Sequence, residues 1–525
     1  MNILWFIVGS ACSYACPSYG KYNFNRGAYI PSSNRTMNST FTNNPNKAAK
    51  HTISRLLAVA LLLLCTGNRL LAQEQIIAQP FMESDKARKP DLSRLKPEKK
   101  RFGRAAIELG IAELTPWSID RFIRKVDYTD ITWKTTAHNL NPGSWAWDND
   151  NFQTNQFGHP YHGSAYFSTF RTNGYSFWQS VPAAFAGSYL WETFAEDQAP
   201  APNDFINTSF GGIILGETTY RLSNLIVNNH SRGFKHQLTE IAGLLVNPTN
   251  GLNRLLDGKW GRVRHGRQIT DPVVMESDSS KISAVFDLGV RKFNENLGSS
   301  LKGHIGWYAR ASFLYGTPFE RFKDPFSNIT ITAEMGRDDS TMLNVISVYG
   351  SLTGWQLKTK PTQKQLLTLS ANYDYIHNVA FFYGGQSVKL NLYSEYGLTR
   401  KVIFNTMFGA GPVILAAVPD AYNYNGRNYD YGSGFAINGG GRIAIINRLF
   451  ISGNYRGGWM ETLNGNPSHY FLHTVSGEVS YRFLGNFSVN GEAGYFALRG
   501  HYNKFPDVDK SYPYVRTSLR YTLNP

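Results

Sequence analysis

Glu192 and Glu196, together with His159, Asp204 and Glu217, are the titratable side chains concentrated in the middle of this chain. On a helix the first two, four residues apart, share one face. Two carboxylates beside a histidine can bind a divalent metal or relay a proton, so His159, Glu192, Glu196 and Asp204 form the candidate catalytic set. Ser164, close to His159, suggests a nucleophile only weakly, because no third member can be identified. The spacings HExxH, GxSxG and GxxxxGKS/T are all absent, so the sequence names no metal site and no cofactor. A structural reading of the same residues is favoured. In it Glu217 pairs with Arg221 at i,i+4, Arg171 pairs with one of the other acids, and His159-Pro160 fixes a turn.

Positioning these residues requires helices, and from Arg104 to about Leu256 the apolar period is helical. Ile107, Leu109, Ile111, Leu114, Trp117 and Phe122 mark an opening helix, and Gly163 to Phe170, Phe185 to Glu196, Gly212 to Asn228 and Phe234 to Val246 are further candidates. Asn203-Asp204 after Pro200 and Pro202 reads as a helix start, Asn247-Pro248 as a stop, and Gly258 closes Leu252 to Leu256.

After these helices the period changes to two. Val515, Thr517, Leu519, Tyr521 and Leu523 oppose Tyr514, Arg516, Ser518, Arg520 and Thr522, one face suited to lipid and the other to water. The same alternation runs through Phe471 to Phe483 and Leu367 to Tyr375, and recurs at Phe435 to Ile445, Leu449 to Trp459 and Phe487 to Ala497. About twelve strands from near Lys281 to Leu523 predict an antiparallel transmembrane β-barrel, favoured over a soluble β-sandwich. Alternation blurs at Asn328 to Arg337 and Met342 to Leu357, and the connection Gly316 to Ser327 is long. Leu398 to Lys401, Asn447-Arg448 and Gly485-Asn486 read as tight periplasmic turns, whereas Val418 to Gly432 and Gly500 to Tyr512 read as long external loops. About twelve strands enclose an interior wide enough to need filling or to leave a channel, and helices such as Gly163 to Trp178 and Ala183 to Trp191 are expected either to plug the lumen or to rest beneath it in the periplasm.

Upstream, Lys47, Lys50 and Arg55 precede the apolar run Leu56 to Cys65 and the small residue Ala72, the pattern of a secretory signal. Residues 1–72 are therefore expected to be removed, with Met37 the expected start and Met1 to Thr36 an upstream artefact. That segment holds all three cysteines and seven basic residues with no acid, so much of the formal charge of +15 belongs to it. Residues 73–103 read as a flexible basic linker and not as a nucleic-acid patch, residues 104–260 as a helical domain, and residues 273–525 as the barrel.

The string Asn155-Gln156-Phe157-Gly158-His159-Pro160-Tyr161-His162-Gly163-Ser164 is followed by Arg171, Asn173-Gly174, Trp191-Glu192, Pro202-Asn203-Asp204, Gly216-Glu217, Tyr220-Arg221 and Asn247-Pro248. From Trp145 to Gly258 the chain resembles an uncharacterised family of Gram-negative envelope proteins known only as a domain of unknown function. The resemblance implies an outer-membrane protein with a helical region ahead of a barrel, and it implies no activity. The expected fold is thus mainly β, a barrel of about twelve strands preceded by helices. The expected role is a scaffold, pore or conduit of unknown cargo, with a lipid-directed enzyme or a partner-binding structural protein as alternatives. Outer-membrane lipid and, during biogenesis, the barrel-assembly machinery are the expected partners.

Overall fold

Strands with one apolar and one polar face can satisfy every edge by closing on themselves. A computed structural model describes residues 99–227, 232–262, 282–293, 305–316, 325–337, 342–377 and 382–523, all within one compact unit of the chain. The expected secretory signal, the three cysteines and most of the expected basic linker lie outside these residues. Twelve strands close the barrel: β1 (Ile282–Phe293), β2 (Ile305–Tyr315), β3 (Ile329–Gly336), β4 (Leu343–Lys360), β5 (Gln363–His377), β6 (Phe382–Thr399), β7 (Val402–Tyr424), β8 (Arg427–Ile445), β9 (Leu449–Asn464), β10 (Ser468–Leu484), β11 (Phe487–Tyr502) and β12 (Val508–Leu523). Each pairs antiparallel with its sequence neighbours, and β1 seals against β12 from Ala284 opposite Leu523 to Phe293 opposite Tyr514.

The interior face is identified by side chains that meet across non-adjacent strands. Arg456 of β9 reaches Asp374 of β5, Arg516 of β12 reaches Glu334 of β3, and Arg310 of β2 reaches Glu478 of β10. The opposite face carries exposed Leu288, Leu390, Phe408, Ile437, Val479 and Leu519, as the alternation requires.

Two expectations are corrected. Val418 to Gly432 is not a loop: β7 and β8 continue through it to a tight turn at Asn425-Gly426, both at positive φ. Asn-Gly accepts that backbone, whose twist matches the paired strands. Likewise, strand pairing consumes most of Gly500 to Tyr512, leaving residues 503–507 as the connection. The two blurred segments are strands, and their outward residues Ile329, Ile331, Ile346 and Val348 are covered by protein.

The covering protein is the helical region: α1 (Phe102–Ser118), α2 (Trp133–Asn139), α3 (His159–Arg171), α4 (Phe177–Phe194), α5 (Pro202–Ile206), α6 (Gly212–Val227), α7 (Gly233–Val246) and α8 (Pro248–Leu256). Gly163 to Trp178 is not one helix. Gly174 at φ +88° ends α3, and Ser176 caps α4 in a box with Gln179. Asn203 and Asp204 lie inside α5, behind Pro202. Asn247 caps α8 by accepting from the Asn250 amide.

Helix-to-strand hydrogen bonds and ring contacts fall on outward-facing positions. Phe152 stacks on Tyr375, Phe177 on Phe326 beside Gly350, and Arg221 lies over the Tyr315 ring. Tyr373, Gln386, Leu415, Ala417, Tyr429 and Tyr431 complete the covered wall. The expected placements, plugging the lumen or resting beneath the barrel, give way to lateral docking. The interior instead carries ion pairs and an aromatic cluster made by the strands' own side chains.

Candidate functional site

The Asn155 to Ser164 motif is built on a wide turn. Residues Thr154–Gly158 form a single π-turn that runs into α3, and Asn207–Gly211 form a second between α5 and α6. Such five-residue turns re-aim side chains and recur at functional sites. Here they present buried amides to the barrel wall. The Asn155 amide donates to the Tyr429 hydroxyl (2.8 Å) and to Asp148 (3.1 Å), while the Gln386 amide donates to Asn207 (3.2 Å). The Tyr373 hydroxyl donates to the Gln156 carbonyl (2.5 Å), and the Asn203 amide donates to the Tyr431 hydroxyl (2.9 Å).

The same turns bring His159 to Asp204, with Nε2 3.4 Å from the carboxylate, and His159 Nδ1 to the Thr208 hydroxyl at 3.3 Å. Burial pushes the His159 imidazole down to about 4, although the nearby charge of Asp148 opposes this. Burial, reinforced by Glu192, pushes Asp204 well above the usual carboxylate range. The imidazole and the carboxyl thus meet in one buried contact in which burial disfavours charge on both, and the Asp204 oxygen also accepts from the Asn203 amide at 2.7 Å. Glu192 is also pushed well up, by burial and then by Glu196, while its Oε2 accepts the Ala201 amide at 2.9 Å. Glu196 lies beyond the end of α4, not on a shared helix face with Glu192. Burial raises it to about 7 against the opposing hydrogen bond from the Trp191 indole, 2.6 Å. His159 and Pro160 open α3 and do not fix a turn. Ser164 is bonded to the Tyr161 carbonyl (2.6 Å), not to His159.

Of the paired residues, Glu217 does bond Arg221 (2.7 Å). Arg171 joins the same carboxylate at 2.7 Å instead of a different acid. Arg221 extends to the Pro325 carbonyl, so this triad ties α3 and α6 to the barrel. Gly163 is required by contact: a Cβ there would lie 1.8 Å from the Thr208 carbonyl oxygen. Tyr161 opens the helix beside Phe157, and their rings stack with centroids 6.1 Å apart. Among the described residues no group of three or more His, Cys, Asp or Glu could hold a metal.

Sequence reasoning missed a second buried set, Glu113, His162 and Tyr166, in which the Tyr166 hydroxyl donates to Glu113 (2.8 Å) and lies 3.0 Å from His162. Burial raises Glu113 to about 8 and lowers His162 to about 4. It also missed the lumenal network. Asp287 binds Arg310 (2.8 Å) and Arg520 (2.7 Å), and Glu478 binds Arg520 (2.7 Å). Arg516 binds Glu334 (2.9 Å) and Glu492 (2.6 Å), and Arg291 binds Glu334. Opposite charges recurring on inward positions of strands at the two ends of the barrel sequence were the available signal. Toward the end away from the C-terminus, Phe293, Met460, Tyr470, Leu472, Tyr502 and Tyr514 pack across the lumen. Toward the C-terminal end a polar recess of about 410 Å³ opens, lined by Ser312, Thr368, Asn405, Arg442 and Asn454.

Residues 144–249 match the family model described as DUF3943, a domain of unknown function. That span holds the π-turns, the His159 and Asp204 pair and the Glu217 triad. No curated protein matches the sequence. Among solved structures, the chain is similar to the NanC porin (11% identity, TM-score 0.24, 44% of this chain and 98% of that one). It is also similar to the KdgM porin (10%, TM-score 0.22, 45% and 98%) and to an anion-selective porin from Comamonas acidovorans (8%, TM-score 0.22, 47% and 99%). These likenesses concern the barrel fold alone.

Proposed function

We propose that this protein is a Gram-negative outer-membrane β-barrel whose wall carries a helical domain, acting as a scaffold or gated conduit for unknown cargo and not as an open pore. The exposed apolar outward face suits lipid. In this reading the C-terminus and the tight turns at Asn447 and Gly485 are periplasmic, and the Asn425-Gly426 hairpin is external. Outer-membrane lipid surrounds the barrel, and the assembly machinery inserts it. The observation that carries the choice is the ion network from Asp287 to Arg520, which with the aromatic layer closes the lumen. Buried ion pairs are costly to part.

The test is single-channel recording in planar bilayers. The native chain should show no steady conductance, and the charge-neutral pair Glu478→Gln with Arg520→Gln should open current. A large steady conductance from the native chain would overturn the closed-barrel reading.

The enzyme reading, an activity on lipid or lipid-linked sugar, draws on the meeting of His159 with Asp204 beside Glu192. The burial of both groups and the bonding of Ser164 to the Tyr161 carbonyl instead of to His159 favour a structural role. Complementation of a deletion strain separates the readings: His159→Asn and Glu192→Gln should lose function only in proportion to folded protein. Normal folded abundance with function abolished would promote the enzyme.

A further inference from the structure

We infer that the helical region is a side lobe immersed in membrane lipid, its outer helix faces continuing the barrel's apolar belt. The inference rests on the outer-membrane reading. Its basis is an inversion of the usual helix pattern, in which the apolar stripe faces protein and charges face water. In α4 the exposed positions Trp178, Pro182, Ala186, Leu190 and Phe194 recur every four residues and include no charge, with Trp178 60% and Phe194 45% exposed. The buried side of the same helix holds Ser180, Ser188, Glu192 and Thr193.

α7 repeats the arrangement. Phe234, Leu238, Ile241 and Leu245 are exposed, with Lys235 and Gln237 the polar side chains among them near the helix start, while His236 and Glu240 are buried, Glu240 paired with Arg254 at 2.7 Å. α1 adds exposed Phe102, Ile107 and Leu114. Polar side chains turned inside and apolar side chains turned outside suit hydrocarbon, whereas in water those apolar side chains would be left exposed.

The occupant follows from continuity. The helices dock on the outward faces of β2 to β8, and the uncovered outward residues of those strands include Leu390, Phe408, Phe435 and Ile437, all exposed. Lipid that wets these strands must meet the helices beside them. No helix among the described residues is long and apolar enough to cross a membrane, so the lobe is held in the bilayer by its docking to the wall and not by a span of its own.

The test uses the full chain, with Cys12, Cys16 and Cys65 replaced by serine, in nanodiscs of phosphatidylethanolamine and phosphatidylglycerol. Single cysteines at Ala186, Leu190 and Ile241 carry nitroxide labels, and Val479 on the exposed barrel face serves as reference. Collision with oxygen should exceed collision with a water-soluble nickel chelate at all three helix sites, in the ratio seen at Val479. Nickel-accessible helix sites beside a lipid-exposed Val479 would overturn the lobe and leave the barrel. Helix sites shielded from both probes would also overturn it, in favour of a covering protein. A nickel-accessible Val479 would overturn the membrane reading itself.

Discussion

Glu217 stands between the guanidiniums of Arg171 and Arg221 with no exposure to solvent, so its charge is balanced only by those two partners. Replacing it by glutamine leaves two buried cations facing a neutral amide. Breaking a buried ion pair this way costs about 3–5 kcal/mol. Glu217→Gln should therefore lower the unfolding midpoint of the helical region in detergent sharply, and an unchanged midpoint would show that the triad is dispensable.

Titration gives opposite signs at neighbouring residues. Burial raises Asp150 to about 6 and Glu196 to about 7, so the fold favours their protonated forms. Their contribution to stability is complete below the unfolded carboxylate range and is lost as pH rises through those values. His159, lowered to about 4, contributes fully above its ordinary range and loses that contribution as pH falls toward 4. The helical region should thus lose stability as pH rises through about 6 to about 7, and Glu196→Gln should flatten that slope. An unaltered slope in the variant would remove Glu196 from the account.

At the level of elements, the helix crossing is set by the absence of side chains. The Cβ of an alanine at position 163 would overlap the Thr208 carbonyl, and one at 212 would meet the Gly163 backbone at 2.5 Å. The backbones of α3 and the second π-turn cannot both stay in place. Overpacking of this kind costs about 1–3 kcal/mol, occasionally more. Gly163→Ala should expose the helical region to protease while the barrel keeps its heat-modifiable migration on gels. Loss of both together would mean that the barrel cannot fold without its lobe.

For the whole molecule, strand order and turn position make one testable statement about sidedness. A tag between Asn425 and Asn428 should be labelled on intact cells, and one at Asn447 should not, with both proteins recovered in the outer-membrane fraction. Equal labelling at the two sites would refute the topology, and recovery in the soluble periplasm would refute the location.

Alternation alone determined which residues of Val515 to Leu523 face inward, because the two-residue period of a strand is local and survives any tertiary context. Helical period placed α6 and α7 to within a residue for the same reason, whereas the opening helix, expected from Ile107 to Phe122, runs from Phe102 to Ser118. Tyr373, Tyr375, Tyr429 and Tyr431 mark where local pattern stopped being informative. They occupy the outward face like the residues that meet lipid, and only the docked helical region shows that the hydroxyls of Tyr373, Tyr429 and Tyr431 bond Gln156, Asn155 and Asn203 while Phe152 stacks on Tyr375. The pairing of Arg171 with Glu217, the meeting of His159 with Asp204 and the lumenal contact of Arg516 with Glu334 likewise join residues 46, 45 and 182 positions apart. No periodicity encodes such distances. They depend on how the barrel closes and on which side of its wall the helices settle, which is decided by packing.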